Sequence, residues 1–167
     1  MKVFLALLAI AFLMWACTDR SGAEATFNNG VAAADRGDHQ EAIRQFTQAI
    51  KIDPKLPAVY NNRGNSYANL GDQSKAIIDF TQAINANSKY AKAYYNRGIS
   101  YYNLGDYSKA IADFTLAIEI DPNFALAYYG RGLSYNELGD HKKAMQDAQK
   151  ACDLGDCGLL QLLSKNN

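Results

Sequence analysis

The sequence predicts an all-α fold, an α-solenoid of four helical hairpins followed by one short C-terminal helix. Two observations carry this prediction. A block of similar sequence recurs at a constant interval, with copies beginning at positions 28, 62, 96 and 130, and a glycine followed by an aspartate divides each copy into two helical halves. Repetition at such a period is typical of architectures in which neighbouring units stack and bury a continuous core.

The repeated block is clearest in the middle of the chain. It reads NRGNSYANLGDQSKAIIDFTQAI from Asn62 and NRGISYYNLGDYSKAIADFTLAI from Asn96, and a third copy, GRGLSYNELGDHKKAMQDAQKAC, begins at Gly130. A looser copy, NNGVAAADRGDHQEAIRQFTQAI, begins at Asn28. These copies place four repeats at residues 23–56, 57–90, 91–124 and 125–158.

Small residues recur where two helices are expected to approach closely. Glycine occupies the eighth place of every repeat and alanine the twentieth. At the fifteenth place a second glycine precedes an aspartate. This glycine can take the left-handed conformation that ends a helix, and the carboxylate can accept hydrogen bonds from the free amides of the next helix. The three sets are Gly30, Gly64, Gly98 and Gly132; Ala42, Ala76, Ala110 and Ala144; and Gly37, Gly71, Gly105 and Gly139.

Aromatic residues supply the expected interior. Tyrosines of the first helices should face phenylalanines of the second helices. Prolines after Asp53 and Asp121 should end the second helices of repeats one and three, because the residue before proline avoids helical angles. The interior set is Tyr67, Tyr101 and Tyr135, facing Phe46, Phe80 and Phe114.

The two ends of the array depart from the pattern, as terminal repeats of a solenoid commonly do. Repeat four has Ala148 in place of phenylalanine. After Gly158 the residues LLQLLSKNN can form a short helix, from Leu159 to Lys165, whose leucines cover repeat four. A frayed tail over residues 159–167 is the alternative.

A charge pattern recurs inside three of the repeats. An arginine stands at place seven, directly before the eighth-place glycine, and an aspartate stands at place 23. The two places lie almost opposite in an antiparallel hairpin, which predicts an ion pair, bidentate if the geometry permits. Duplication without coupling is the alternative. The pairs are Arg63 with Asp79, Arg97 with Asp113, and Arg131 with Asp147.

With this period and these residues, the chain resembles the tetratricopeptide repeat family over about four fifths of its length. The resemblance implies that stacked hairpins curve and that the first helices line a concave groove. Places 2, 5, 6, 9, 12 and 13 of each repeat would then point into the groove. The expected peptide-binding residues are Phe27, Asn28, Asn61, Asn62, Asn65, Tyr95, Asn96, Ile99, Tyr102, Asn103 and Tyr129.

An aromatic and amide-rich groove suits a protein or peptide partner. An asparagine side chain offers a donor and an acceptor together, so a ladder of them can bond the backbone of an extended peptide. Tyrosine rings add apolar contact. A solvated face is the alternative for these residues. The carboxylate-clamp variant of the family has lysine at place five, which no repeat has here, so that variant is not expected.

Composition argues against other classes of function. Lys plus Arg and Asp plus Glu each count 17, so the chain lacks the basic excess that would draw it to nucleic acid. Both histidines, His39 and His141, fall just after a Gly-Asp turn, and no metal-ligand, phosphate-loop or nucleophile motif occurs. The sequence therefore predicts a scaffold without cofactor or metal, and not an enzyme. A self-associating structural module is the alternative, and the oligomeric state stays open.

Residues 1–16 have the profile of a secretion signal: Lys2, then an unbroken apolar run to Ala16. Fourteen apolar residues rise about 21 Å as a helix, less than the roughly 30 Å hydrocarbon layer, so a cleaved signal is favoured over a permanent span. The run stops at Cys17 and resembles the lipobox of bacterial lipoproteins, although Trp15 departs from that motif.

The lipobox resemblance implies cleavage before Cys17 and lipidation of that cysteine. Residues 17–22 would form a tether, and the protein would be anchored in a bacterial cell envelope, on the periplasmic face of the outer membrane. Ordinary cleavage further on, after Ala23 or Ala25, and an uncleaved anchor are the alternatives.

Cys152 and Cys157 remain once Cys17 is set aside. In an exported protein an even pair favours a disulfide. Their short separation permits one only if the chain turns at Leu154-Gly155-Asp156. Two partly buried thiols are the alternative.

Overall fold

The computed structural model describes residues 21–164, which form nine α-helices and no β-strand. The predicted all-α fold class is confirmed. The predicted signal, the lipidation site Cys17 and the last residues from Lys165 lie outside the described part. The helices are α1 (21–35), α2 (His39–Ile52), α3 (Pro57–Asn69), α4 (Gln73–Ala86), α5 (Ala91–Asn103), α6 (Tyr107–Ile120), α7 (Ala125–Glu137), α8 (His141–Asp153) and α9 (Gly158–Ser164).

The helices stack in chain order. From α2 onward each helix packs on the next, and the first helices also meet one another: α3 contacts α5, α5 contacts α7, and α7 contacts α9. The first helices therefore share one side of the stack. Helix α1 includes residues 21 and 22, the last two residues of the predicted tether over residues 17–22.

The predicted Gly-Asp turns are confirmed. The turn glycines have φ between 78° and 84°, the left-handed region that glycine enters without a Cβ clash. In each turn the following aspartate caps the next helix by accepting a hydrogen bond from a backbone amide three residues on. The capping residues are Asp38, Asp72, Asp106 and Asp140.

The phenylalanines are confirmed as the interior of the hairpins, and each lies directly on the eighth-place glycine of its own repeat. A Cβ added to Gly98 would meet the Phe114 ring at 2.9 Å, and one added to Gly64 would meet Phe80 at 2.7 Å. In these repeats the glycine thus makes room for a phenyl ring, and the twentieth-place alanines are fully buried nearby.

The tyrosines expected to complete this interior are only half-buried. They lie at the edge of the stack, where a lysine from the following turn covers each ring with its ammonium group. The Nζ atom of Lys109, for example, lies 5.4 Å from the centre of the Tyr101 ring. The three pairs are Tyr67 with Lys75, Tyr101 with Lys109, and Tyr135 with Lys143.

The predicted C-terminal helix forms and covers repeat four. Leu159 and Leu163 are buried against Ala144 and Ala148. A Cβ on Gly132 would meet a Leu159 methyl group at 2.6 Å. Leu159 therefore fills the space over the eighth-place glycine that a phenylalanine fills in the other repeats, which explains why repeat four tolerates alanine in place of that phenylalanine.

Candidate functional site

The candidate site is the side of the stack formed by α1, α3, α5 and α7, here called the first-helix groove. Three depressions follow one another along it, and asparagines line all three. Asn62 and Asn65 border the depression beside α1, and Asn96, Ile99 and Asn103 border the next. The structure therefore brings most of the predicted amide residues together on one surface.

Asn61 does not offer an open amide to this surface. Its side chain is only 4% exposed, and its Oδ1 atom accepts a hydrogen bond of 3.0 Å from Nδ2 of Asn96. The contact joins α3 to α5 across two repeats. Asn61 is thus a support that orients Asn96, which retains a second N–H and a carbonyl oxygen for a ligand. In the predicted ladder, the amides of Asn62, Asn65 and Asn96 are available to a ligand, whereas the Asn61 amide is buried against Asn96.

The third depression adds an aromatic wall. Its volume is about 500 Å³, and the Tyr95 ring forms part of it, 4.9 Å from the Phe124 ring. Burial raises the pKa of Tyr95, with smaller contributions from Asp156 and Tyr129. The Tyr95 hydroxyl therefore stays protonated at neutral pH and can donate a hydrogen bond.

Sequence reasoning missed three residues of this wall: Tyr90, Phe124 and Leu126. Tyr90 and Phe124 both occupy the last place of their repeats, so aligning the repeats shows a recurring aromatic residue at that place. Leu126 is 48% exposed and stands at place two of repeat four, one of the places expected to face the groove.

The predicted residues at the two ends lie in different surroundings. At the first end Phe27 is half-buried against the Phe46 ring, at 5.9 Å, and borders an apolar depression with Leu56 and Val59, while Asn28 is exposed on α1.

At the other end of the groove, Tyr129 packs beside α9. The Tyr102 ring lies edge-on to Tyr107 at 5.3 Å. Burial raises the pKa of Tyr102, and the nearby Glu137 carboxylate raises it further.

A disulfide pair fixes the turn at this end. Cys152 and Cys157 are joined in the structure with their Cα atoms 4.0 Å apart. The chain turns between them at Gly155, whose φ of 103° is in the left-handed region. Within this turn Asp156 accepts a hydrogen bond from the Gly158 amide at 3.1 Å. Gly158 lies next to both Asp156 and Tyr129, because a Cβ added to it would be 3.3 Å from the Asp156 Oδ1 atom and 3.4 Å from the Tyr129 ring.

The predicted arginine–aspartate pairs support the helices behind the groove. In repeat three the Nε and Nη2 atoms of Arg97 donate to the two carboxylate oxygens of Asp113, both at 2.8 Å. This hydrogen bonding raises the pKa of Arg97. The bidentate geometry is confirmed, and it recurs for Arg63 with Asp79 and Arg131 with Asp147.

Each of these arginines also reaches the preceding repeat, which the sequence-based prediction missed. Nη1 of Arg97 donates to Oγ1 of Thr81 at 3.0 Å. The signal was present, because a threonine stands at place 25 of repeats one, two and three. The arginine therefore links two neighbouring hairpins as well as the two helices of its own. The threonines are Thr47, Thr81 and Thr115.

No helix within residues 21–164 combines the length and apolar character needed to span a membrane. In the same described part, no group of three or more His, Cys, Asp or Glu side chains is placed to hold a metal ion.

A solenoid of repeated helical hairpins with a groove along its first helices defines the class of protein as a helical repeat protein. Matches to protein-family models then identify the family. Models described as tetratricopeptide repeat match residues 91–124 and 114–146, and a TPR repeat model matches 30–71 and 64–105. The chain belongs to the tetratricopeptide repeat family. Proteins of this family are typically interaction modules without catalytic activity.

Solved structures of the same fold include MamA, with a TM-score of 0.76 and 29% sequence identity over 79% of this chain and 77% of that chain. The first TPR of Spaghetti (RPAP3), bound to the HSP90 peptide SRMEEVD, has a TM-score of 0.70 and 27% identity over 71% and 94% of the two chains. The Sgt2 TPR domain from Aspergillus fumigatus has a TM-score of 0.68 and 26% identity over 72% and 82%. No curated protein sequence matches the chain.

Proposed function

We propose that the protein is an adaptor that binds an extended segment of a partner protein in the first-helix groove. The observation that carries the proposal is the continuous row of amides at Asn62, Asn65 and Asn96 beside the aromatic wall at Tyr95. Amides can bond the backbone of a peptide, and the wall can receive an apolar side chain. The adaptor requires no cofactor, and its action involves no catalytic step.

One similar structure, the RPAP3 domain, has a bound peptide and so supports a peptide partner. The RPAP3 domain was solved with a peptide rich in acidic residues, SRMEEVD. The present chain has Phe27, Asn61, Tyr95 and Tyr129 at place five of its repeats and so offers no lysine there. We therefore do not expect a partner segment that is held by its terminal carboxylate.

The double variant Tyr95→Ala/Asn96→Ala tests the groove. Capture of partners from envelope extract by the full chain should fall at least about tenfold, because the variant removes one wall and one amide of the third depression. A matched change on the second helices, Ile78→Ala/Gln82→Ala, should leave capture unchanged, since both residues are exposed away from the groove. Equal recovery by the wild type and the groove variant would refute the proposal.

We further propose that this adaptor is held in a bacterial cell envelope by lipid attached to Cys17. Support comes from the apolar run that ends at this cysteine. Each buried methylene contributes about 0.8 kcal/mol, so several acyl chains together hold a folded domain on a bilayer. In the described part the groove begins within α1, close in sequence to the anchor.

Substitution Cys17→Ser should abolish metabolic labelling of the protein with a fatty acid. The protein should then either appear in the soluble fraction or accumulate with its signal segment uncleaved. Substitution Cys157→Ser is the matched control and should retain the label, because that cysteine lies at the far end of the chain. Fatty-acid label that persists after Cys17→Ser would place the attachment elsewhere.

A further inference from the structure

Three buried side-chain polar atoms have no hydrogen-bond partner within residues 21–164, and all three belong to residues that line the first-helix groove. The Nδ1 atom is that of His39, at the depression beside α1. The Oε1 atom of Gln73 and the Oγ atom of Ser100 belong to residues of the second depression. A buried polar atom without a partner destabilises the state that contains it. A ligand in the groove can supply the missing hydrogen bonds.

His39 and Gln73 stand at the same place of their repeats, the seventeenth, where the second helix begins. In repeat four this place is His141, and its Nδ1 atom is hydrogen-bonded to Oδ1 of Asn136 at 3.0 Å. Asn136 stands at place twelve, on the first helix of that repeat. Repeat four thus shows that a carboxamide at the first helix can satisfy the residue at place seventeen.

Repeats one and two lack this carboxamide. Place twelve is Ala34 in repeat one and Ala68 in repeat two, and the two alanines line the first and second depressions. Alanine has no polar side-chain group, so Nδ1 of His39 and Oε1 of Gln73 stay unpaired. A ligand in the groove can bring a carboxamide to the position that corresponds to Asn136 of repeat four.

The second depression is large enough for a side chain of a partner and carries no charge. Its volume is about 410 Å³, within the range of ligand sites, and among the described residues that line it none is charged. Nε2 of Gln73 donates to the carbonyl oxygen of Ala68 at 3.4 Å, so the unpaired atom of this amide is an acceptor. That bond is long and the terminal torsion of glutamine is broad, so Gln73 can turn its oxygen toward a ligand.

Ser100 adds a hydroxyl to the same depression. The equivalent serines of repeats two and four, Ser66 and Ser134, donate to the carbonyl oxygen four residues earlier. Ser100 has no such bond, although it is only 1% exposed. An apolar ligand group would leave Gln73 and Ser100 unpaired, and a charged one would lose its hydration without meeting a counter-charge. An uncharged group with both donor and acceptor avoids both costs, and a carboxamide is such a group.

We propose that the partner segment carries an asparagine or glutamine whose carboxamide binds in the second depression. Its N–H donates to Oε1 of Gln73, and its oxygen accepts from the hydroxyl of Ser100. This inference rests on the proposed adaptor function and adds a side-chain preference to it. The amides of Asn65 and Asn96, which line the same depression, remain available for the backbone of the segment.

Selection from a phage library of random dodecapeptides, carried out on the full chain in detergent, tests the inference. Peptides whose binding requires Tyr95 and Asn96 should share an asparagine or glutamine at one recurring position. Replacing that residue of the synthetic peptide with leucine or with glutamate should weaken binding at least about tenfold. Leucine leaves the Gln73 oxygen unpaired, and glutamate brings a charge that the depression does not balance.

The variant Gln73→Met tests whether the carboxamide is recognised at this residue, because it removes the acceptor oxygen and keeps a flexible side chain. It should weaken binding of the original peptide about tenfold and should not weaken binding of the leucine peptide, since both changes remove the same contact. Ser100→Ala should also weaken the original peptide more than the leucine peptide. Gln82→Met, at an exposed position of the same helix, is the matched control and should leave both affinities unchanged.

Two results would overturn the inference and leave the adaptor function intact. One is a set of groove-dependent peptides that share no asparagine or glutamine. The other is a loss from the leucine replacement that is equally large in the wild type and in Gln73→Met. Failure of the library to yield any peptide that depends on Tyr95 and Asn96 would overturn both the inference and the adaptor function.

Discussion

Replacing Arg97 with alanine is expected to lower the free energy of unfolding by about 3–5 kcal/mol. The Asp113 side chain is only 5% exposed and would lose both of its guanidinium hydrogen bonds. A buried carboxylate without a partner is costly, whereas the intact pair contributes little beyond the cost of burying it. Urea denaturation followed by far-ultraviolet circular dichroism measures the loss.

Repeat one provides the matched control, because it lacks both charges. Asn29 and Gln45 occupy the two places, and Nε2 of Gln45 donates instead to Glu41. The double variant Arg97→Asn/Asp113→Gln should therefore recover most of the stability lost in Arg97→Ala. A single variant that loses less than about 1 kcal/mol, the range of an exposed pair, would contradict this account.

The repeat interval is what made these contacts predictable from the sequence. Once the repeat register is fixed, places seven and 23 fall opposite each other in one antiparallel hairpin, so the ion pair of Arg97 with Asp113 follows. The bond from Arg97 to Thr81 crosses to the previous hairpin. To predict this hydrogen bond, one needs the distance and rotation between neighbouring repeats, and the repeat register does not specify either.

The same distinction applies to the groove. The register placed Asn62, Asn65 and Asn96 on one surface, because each is on a first helix at a place known to face inward. It placed Asn61 there too, and only the packing of α3 against α5 shows that this amide turns to Asn96.

Replacing Phe114 with alanine is the second change with a large expected effect, a loss of about 3–5 kcal/mol in the free energy of unfolding. The ring is 1% exposed and lies between two glycines, one in its own repeat and one in the next. A Cβ on Gly98 would come within 2.9 Å of it, and a Cβ on Gly130 within 2.6 Å. Neither glycine has a side chain that could move into the cavity left by the ring.

A second substitution at Gly98 distinguishes a cavity from a general loss of helix. In the wild type, Gly98→Ala should destabilise by about 1–3 kcal/mol, because the added methyl group overpacks against the ring. In the Phe114→Ala background the same methyl group enters the cavity and removes a helical glycine, so Gly98→Ala should be neutral or stabilising. Urea denaturation of the four proteins measures this reversal of sign. If Gly98→Ala destabilised both backgrounds equally, the contact between this glycine and the phenyl ring would not be what limits residue size at the eighth place.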